Sequence, residues 1–163
     1  MSLHKEHIDK VRELTDKIDI CMMVTREPDG NLRSRPMSTR TIDDSGLFWF
    51  FTNELSDKVQ ELEAYPVVNL AYSEPDKNRY VSVTGVAGIV TEKTKIKELW
   101  TDALKAWFPD GLDDPRLALV KVLPDEAEYW DGSSSKMVRL FKLGKALVIG
   151  NRYEAGENNK VDF

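Results

Sequence analysis

Apolar positions fall first at helical spacing and then in short runs of strand length. Leu3, Ile8, Val11, Leu14 and Ile18 recur near every third or fourth position, with Asp, Glu, Lys and Arg between them. That stripe predicts an amphipathic N-terminal helix resting one face on a core. Residues 20–25 (Ile-Cys-Met-Met-Val-Thr) then form a short apolar run, followed by Pro28-Asp29-Gly30-Asn31, which carries turn chemistry. Residues 32–41 return as a second strand, so the pair predicts a hairpin. After a second turn at Asp43-Asp44-Ser45-Gly46 comes Leu47-Phe48-Trp49-Phe50-Phe51-Thr52, apolar on both faces. Such a strand is buried on each side, and left at an open edge it would invite aggregation, so another element must cover it.

Ser56 is placed to cap a short helix through Glu63, with Val59 and Leu62 facing inward and Pro66 stopping it. Strands are expected at 67–72 and 80–90, the second bent or bulged near Gly85 and Gly88. Thr91 or Thr94 caps a second long helix that puts Ile96, Trp100, Ala103 and Trp107 on one stripe, ended by Pro109-Asp110-Gly111. A last strand pair is expected at 117–122 and 127–130. A Gly/Ser loop at 132–135, an apolar stretch at 137–149 and a polar tail from 150, expected to fray or drape, complete the chain. About six short strands with flanking helices predict a mainly β protein, a small six-stranded antiparallel barrel. We expect one domain over 1–145 and a C-terminal tail over 146–163.

Composition narrows the partners. A chain of 163 residues is the length of one domain. Its 23 Lys and Arg against 28 Asp and Glu give a formal charge of -5, which argues against nucleic acid and against an anionic membrane surface. A local basic cluster can still hold a small anion, because the global field is screened beyond about 10 Å. The single cysteine, Cys21, excludes an internal disulfide framework and a multi-thiolate zinc site. No apolar h-region opens the sequence and no run approaches the ~20 residues needed to cross a bilayer. The expectation is a cytoplasmic protein.

Most familiar catalytic arrangements are absent from the pattern. His4 and His7, the only histidines, sit three apart on the first helix and are expected to face solvent. There is no Gly-x-Ser-x-Gly elbow, Walker sequence or Gly-x-Gly-x-x-Gly fingerprint. Cys21 in an apolar strand reads as core filler. The informative segment is 30–42, which holds Arg33, Arg35 and Arg40 and no acid. On a strand Arg33 and Arg35 share a face and repel, unless an anion or a carboxylate lies between them. Pro36 interrupts the ladder just after them. Thr52, Ser56 and Lys58 then bring two hydroxyls and an ammonium to a strand end and helix start, where an anion is favoured. Finally, Trp130 beside a Gly/Ser loop suits a core plug, a planar ligand or a partner subunit.

Together Arg33-Ser34-Arg35-Pro36-Met37, the run 47–52, Ser56-Asp57-Lys58, Tyr80-Val81-Ser82-Val83-Thr84-Gly85 and Tyr129-Trp130-Asp131 resemble the FMN-binding split-barrel flavoproteins. The similarity is to the general-stress branch related to pyridoxamine 5'-phosphate oxidase and runs from about residue 8 to 139. The resemblance implies a homodimer with FMN in clefts between the subunits. It implies Arg35, Pro36 and Met37 along the flavin ring, Phe51 and Thr52 along ring and chain, and Ser56, Asp57 and Lys58 at the phosphate, with Arg33 as a further phosphate ligand. Tyr80, Trp130 and Arg139 match flavin-contacting positions of the oxidases, some supplied by the partner chain. The oxidases carry an Arg-x-His pair near the C-terminus, whereas no histidine follows His7 here. The implied activity is therefore FMN-dependent electron transfer to another substrate, with a deazaflavin reductase or a non-catalytic flavin-storage protein as alternatives.

Overall fold

The computed structural model describes residues 3–132, 136–139 and 159–162, with side chains over 4–132. The expected hairpin is formed by β1 (Ile20–Arg26) and β2 (Leu32–Ile42). Its turn is closed by the Glu27 amide donating to the Asn31 carbonyl at 2.8 Å, and Gly30 takes φ +91° there. A second hairpin joins β2 to β3 (Phe48–Asn53). Here the Asp43 carboxylate accepts from the Ser45 and Leu47 amides at 3.0 Å and from the Trp49 indole at 2.8 Å, fixing the turn end of the pair.

Strands β4 (Val67–Glu74), β5 (Arg79–Val90) and β6 (Leu117–Asp131) complete the sheet. The pairings β1–β2, β2–β3, β3–β6, β6–β5, β5–β4 and β4–β1 are all antiparallel and close a six-stranded ring. Closure removes the open edges that so apolar a sheet would otherwise present. The interior is filled from every strand, by Met23, Phe48, Phe50, Leu70, Val83 and Val120 among others, and by Val11 and Leu14 of α1 (Leu3–Thr15). Ile8, Val11 and Leu14 of α1 are buried as their spacing predicts, although His7 is half-buried rather than solvent-facing.

The doubly apolar β3 is covered from outside. Trp49 and Phe51 form a second cluster with Leu117 and Leu119 of β6 and with Ile96 and Leu99 of α3 (Lys93–Leu99). Burying each such side chain is worth about 1.5–3 kcal/mol, which is why the helix lies there. The long second helix expected through Trp107 does not form. α3 stops at Leu99, Trp100 turns extended at ψ 141°, and Asp102–Ala106 is a separate 3₁₀ turn. Two contacts oppose continuation: the Arg40 Nε donates to the Leu99 carbonyl at 2.6 Å, and Trp100 stands edge-on to Phe51 at 5.8 Å. Leu104 and Phe108 pack inward on the second cluster, while Ala103 and Trp107 face out.

The strand pair expected at 117–122 and 127–130 is one continuous strand, β6. Pro124 does not end it, because the register against β5 shifts there: Thr84 faces Glu126 and Gly85 faces Pro124. Asp125 is the extra residue of a bulge, and the strand bends instead of breaking. Beyond the bend β6 also pairs with β7 (Lys136–Arg139) and β8 (Asn159–Asp162). Residues 159–162 of the expected tail are thus a strand, and most of the remainder of 137–163 lies outside the described residues. α2 (Asp57–Ala64) connects β3 to β4.

Gly85 is required at the bend, since a Cβ there would lie 2.4 Å from the Leu123 carbonyl oxygen. Gly85→Ala should therefore destabilise the protein by about 1–3 kcal/mol, seen as a lower urea midpoint at unchanged slope.

Candidate functional site

The ring is closed, yet β2 and β3 pair over only part of their length. Their ladder runs from Ile42 opposite Phe48 to Thr39 opposite Phe50 and goes no further. A register shift between Thr39 and Thr41 makes Arg40 the bulged residue and aims it outward to Leu99. From Ser38 back to Leu32, β2 pairs with β1 alone, and β3 continues to Asn53 against β6 alone. Pro36, which lacks an N–H, cannot extend the ladder toward β3. The two strands diverge, and a groove of about 300 Å³ opens between Pro36, Met37 and Ser38 on one side and Phe51, Thr52 and Asn53 on the other. Ile20 of β1 and the segment bearing Leu104, Trp107 and Phe108 complete its walls.

The groove is apolar along its walls and cationic at one end. Lys58, on the first turn of α2, donates to the buried Thr52 hydroxyl at 2.7 Å. Burial pulls its ammonium pKa below the ordinary lysine value, the Arg35 charge adds to this, and Glu61 opposes it. Ser56 occupies the N-cap position as expected but makes no capping bond. Its Oγ is buried without a hydrogen-bond partner among the described residues, an arrangement that costs energy until an acceptor or donor arrives. Asp57 is exposed at the helix start.

Beside this end lies the carboxylate that the repulsion of Arg33 and Arg35 requires. Glu61 of α2 is 7% exposed and accepts from Arg35 Nη2 at 2.7 Å and from the Thr25 hydroxyl at 2.6 Å. Its other oxygen lies 3.8 Å from Arg33, which is equally close to Glu27. Burial alone would push the Glu61 carboxyl up, but the Thr25 and Arg35 bonds with the Arg35 and Arg33 charges outweigh it and hold the pKa below the usual range. Arg35 Nε is buried without a partner among the described residues. Glu61 escaped the sequence reading. The signal available was its position beside Leu62, a charged residue on the inward face of a helix next to an acid-free arginine strand.

The structure brings five of the sequence-predicted residues, Pro36, Met37, Phe51, Thr52 and Lys58, to one groove, with Arg33, Arg35, Ser56 and Asp57 at or near its polar end. Tyr80 and Trp130 lie elsewhere in this chain. They oppose each other across β5 and β6 on the outer face, since their neighbours Val81 and Tyr129 point inward. The Arg139 backbone sits in β7 opposite Glu128, and its side chain lies outside the described residues. Cys21 is buried, with its thiol pKa raised to about 11 by burial, as a core residue would be. Among the described residues no three His, Cys, Asp or Glu gather to hold a metal, and no helix is long and apolar enough to cross a membrane.

The buried pair generates a prediction. Glu61→Ala leaves Arg35 charged without a counter-ion and should cost about 3–5 kcal/mol in urea unfolding, with most of it recovered in Arg35→Met/Glu61→Leu. Because its folded pKa is lowered, Glu61 contributes stability above the unfolded carboxylate pKa and loses it as pH falls through the folded value. The acid-side slope of stability should flatten in Glu61→Gln.

Comparison with known proteins follows the same outline. A profile for proteins described as pyridoxamine 5'-phosphate oxidase like matches residues 6–154. Protein bli-3 of Neurospora crassa is 27% identical over 139 residues, covering 79% of this chain and 66% of its own length. General stress protein 26 of Bacillus subtilis is 30% identical over 92 residues, 55% of this chain and 65% of that protein. This chain thus spans just under two thirds of either relative. The crystal structure of the general stress FMN/FAD binding protein from Xanthomonas citri superposes with a TM-score of 0.63 at 26% identity, covering 85% of this chain and 95% of that one. With nearly its whole length matched and a closed six-stranded barrel carrying flanking helices, the chain belongs to the pyridoxamine 5'-phosphate oxidase-like family of split-barrel proteins.

Proposed function

We propose that the groove between β2 and β3 holds FMN, with its ring between the diverging strands and its phosphate at the cationic end. The observation that carries this reading is the junction of an apolar slot with a buried, under-satisfied polar pocket. Lys58 keeps donors beyond the one spent on Thr52, and Ser56 Oγ and Arg35 Nε are buried without partners among the described residues. An anion supplies acceptors for donors of this kind, and each charged hydrogen bond is worth about 1.5–3 kcal/mol. The donor set fits a phosphate-bearing group, with Lys58 and Ser56 as first ligands. Arg35 and Arg33 act at longer range, because Glu61 already claims them.

Bound FMN supplies hydride and single-electron chemistry, and the protein contributes binding, orientation and electrostatics. Among the described residues that line the groove, Lys58 is the titratable side chain. This supports electron transfer through the flavin to an external partner over oxidation of pyridoxamine phosphate, for which the Arg-x-His pair is missing.

We further propose a homodimer. On the outer face, Ile20 (43% exposed), Met22 (39%) and Tyr80 (39%) lie on neighbouring strands that also present Pro36, Ala71 and Trp130. This apolar surface is continuous with the groove through Ile20 and Pro36, so a second copy seated on it would bring its own residues to the open side of the slot.

The direct test is the chromophore of the purified protein, identified by absorbance and by mass after release: FMN is expected, and a deazaflavin or no uptake of flavin overturns the assignment. Lys58→Ala should weaken FMN by about 1.5–3 kcal/mol while leaving riboflavin, which has no phosphate, nearly unchanged in fluorescence titration. Trp130→Ala should raise the dimer dissociation constant in sedimentation equilibrium by roughly tenfold or more, the loss of one aromatic anchor.

A further inference from the structure

The segment that replaces the expected long helix has a property that barrel stability does not account for. Trp107 is 72% exposed, although it is among the largest apolar side chains in the protein. Its neighbours Leu104 and Phe108 pack on the second cluster, and Trp107 does not. All three line the groove.

The ledge they form is held from below. The amides of Trp107 and Phe108 both donate to the Leu104 carbonyl, at 3.0 and 2.9 Å, and the Gly111 amide donates to the Phe108 carbonyl at 2.9 Å. The Phe108 ring meets Phe51 at 6.3 Å, and Phe51 is itself gripped by Trp100. An indole on so well-tied a turn is presented to the groove at small entropic cost, as aromatic anchors at binding surfaces are. The other wall is Pro36–Ser38 of β2, and the cationic end lies beyond Thr52 at Lys58. A planar ring entering with its anionic group toward Lys58 has strand backbone on one side and the ledge on the other.

We propose that Trp107 is a specificity-determining residue that lies against the planar ring held in the groove and limits which molecules reach that ring from the ledge side. The inference rests on the flavin reading above. It extends that reading to a residue outside the diverging strands, on a segment the barrel does not need for closure. Because Trp107 contacts the ring and not the phosphate, its contribution is the same for FMN and riboflavin, opposite to that of Lys58.

The test uses the full chain titrated with FMN and with riboflavin, following flavin emission and affinity, in wild type, Trp107→Phe and Trp107→Ala. An indole against a flavin quenches its emission. Trp107→Ala should therefore raise the emission of bound flavin and weaken both ligands by roughly fivefold to tenfold, with Trp107→Phe between. Thermal unfolding of the ligand-free variants should match wild type, since the indole is exposed. Wild type that binds flavin, with Trp107→Ala unchanged in affinity and emission, overturns the role of Trp107 and leaves the flavin reading standing. Wild type that binds neither flavin overturns both. Trp107→Ala that loses dimer affinity while bound flavin stays fully quenched assigns the indole to the subunit interface and overturns the proposal.

Discussion

The site depends on a closed ring that fails to pair at one place. Every strand of the barrel needs two neighbours, because its inner face is apolar and an open edge would be a liability. Beyond Thr39, β2 keeps only β1 and β3 keeps only β6, so the barrel stays joined around the ring while the two edges that face each other open into the groove. The tight Asp43 turn fixes one end of the pair, and the Arg40 bulge with Pro36 drives the strands apart at the other. The groove is thus a consequence of register and costs the hydrophobic core nothing.

Electrostatics follow from the same geometry. Arg33 and Arg35 project on the inward side of β2, at the end of the barrel where α2 docks. Two guanidiniums there would repel each other in a partly desolvated space, and Glu61 resolves this by sharing its two oxygens between them. Glu61 thereby leaves Lys58 as the cation least compensated at the groove end. The chain is acidic overall, so such a pocket exists only because α2 brings Lys58 and Glu61 to β2 three residues apart on one helix. Arg35 is a structural ion-pair partner of Glu61, and its charge also reaches Lys58 at the polar end of the groove.

How much of this the sequence discloses follows the range of the interactions involved. The hairpins, the doubly buried β3 and the short α2 are written in local pattern, and the structure has them within a residue or two. Thr52 and Lys58 were legible from the strand-to-helix junction and Pro36 as a break in the ladder, both short-range, whereas Met37 and Phe51 were indicated only by the family resemblance. Glu61 was not, since its role arises only when α2 folds against a strand 26 residues earlier. Two of the misread elements share a cause. The stripe Ile96, Trp100, Ala103, Trp107 has true helical period, and Pro124 is an ordinary breaker, but contacts from β2, β3 and β5 override both. Local propensity is worth tenths of a kcal/mol per residue up to ~3 kcal/mol for a proline, within reach of one buried aromatic or one bulge.

The broken helix also explains why the aromatic wall lies where it does. A helix rises 1.5 Å per residue, so continuing α3 through Trp107 would carry that residue about 12 Å along the axis beyond Leu99. The extended turn at Trp100 and the 3₁₀ turn at Asp102–Ala106 instead fold the chain back, so that Leu104 and Phe108 reach Phe51 and the groove. The Arg40 bond to the Leu99 carbonyl is part of that reversal, and Arg40 is free to make it because the bulge in β2 points it outward. One irregularity in β2 therefore acts twice. It ends the ladder that would have closed the groove, and it anchors the segment that supplies the groove's far wall.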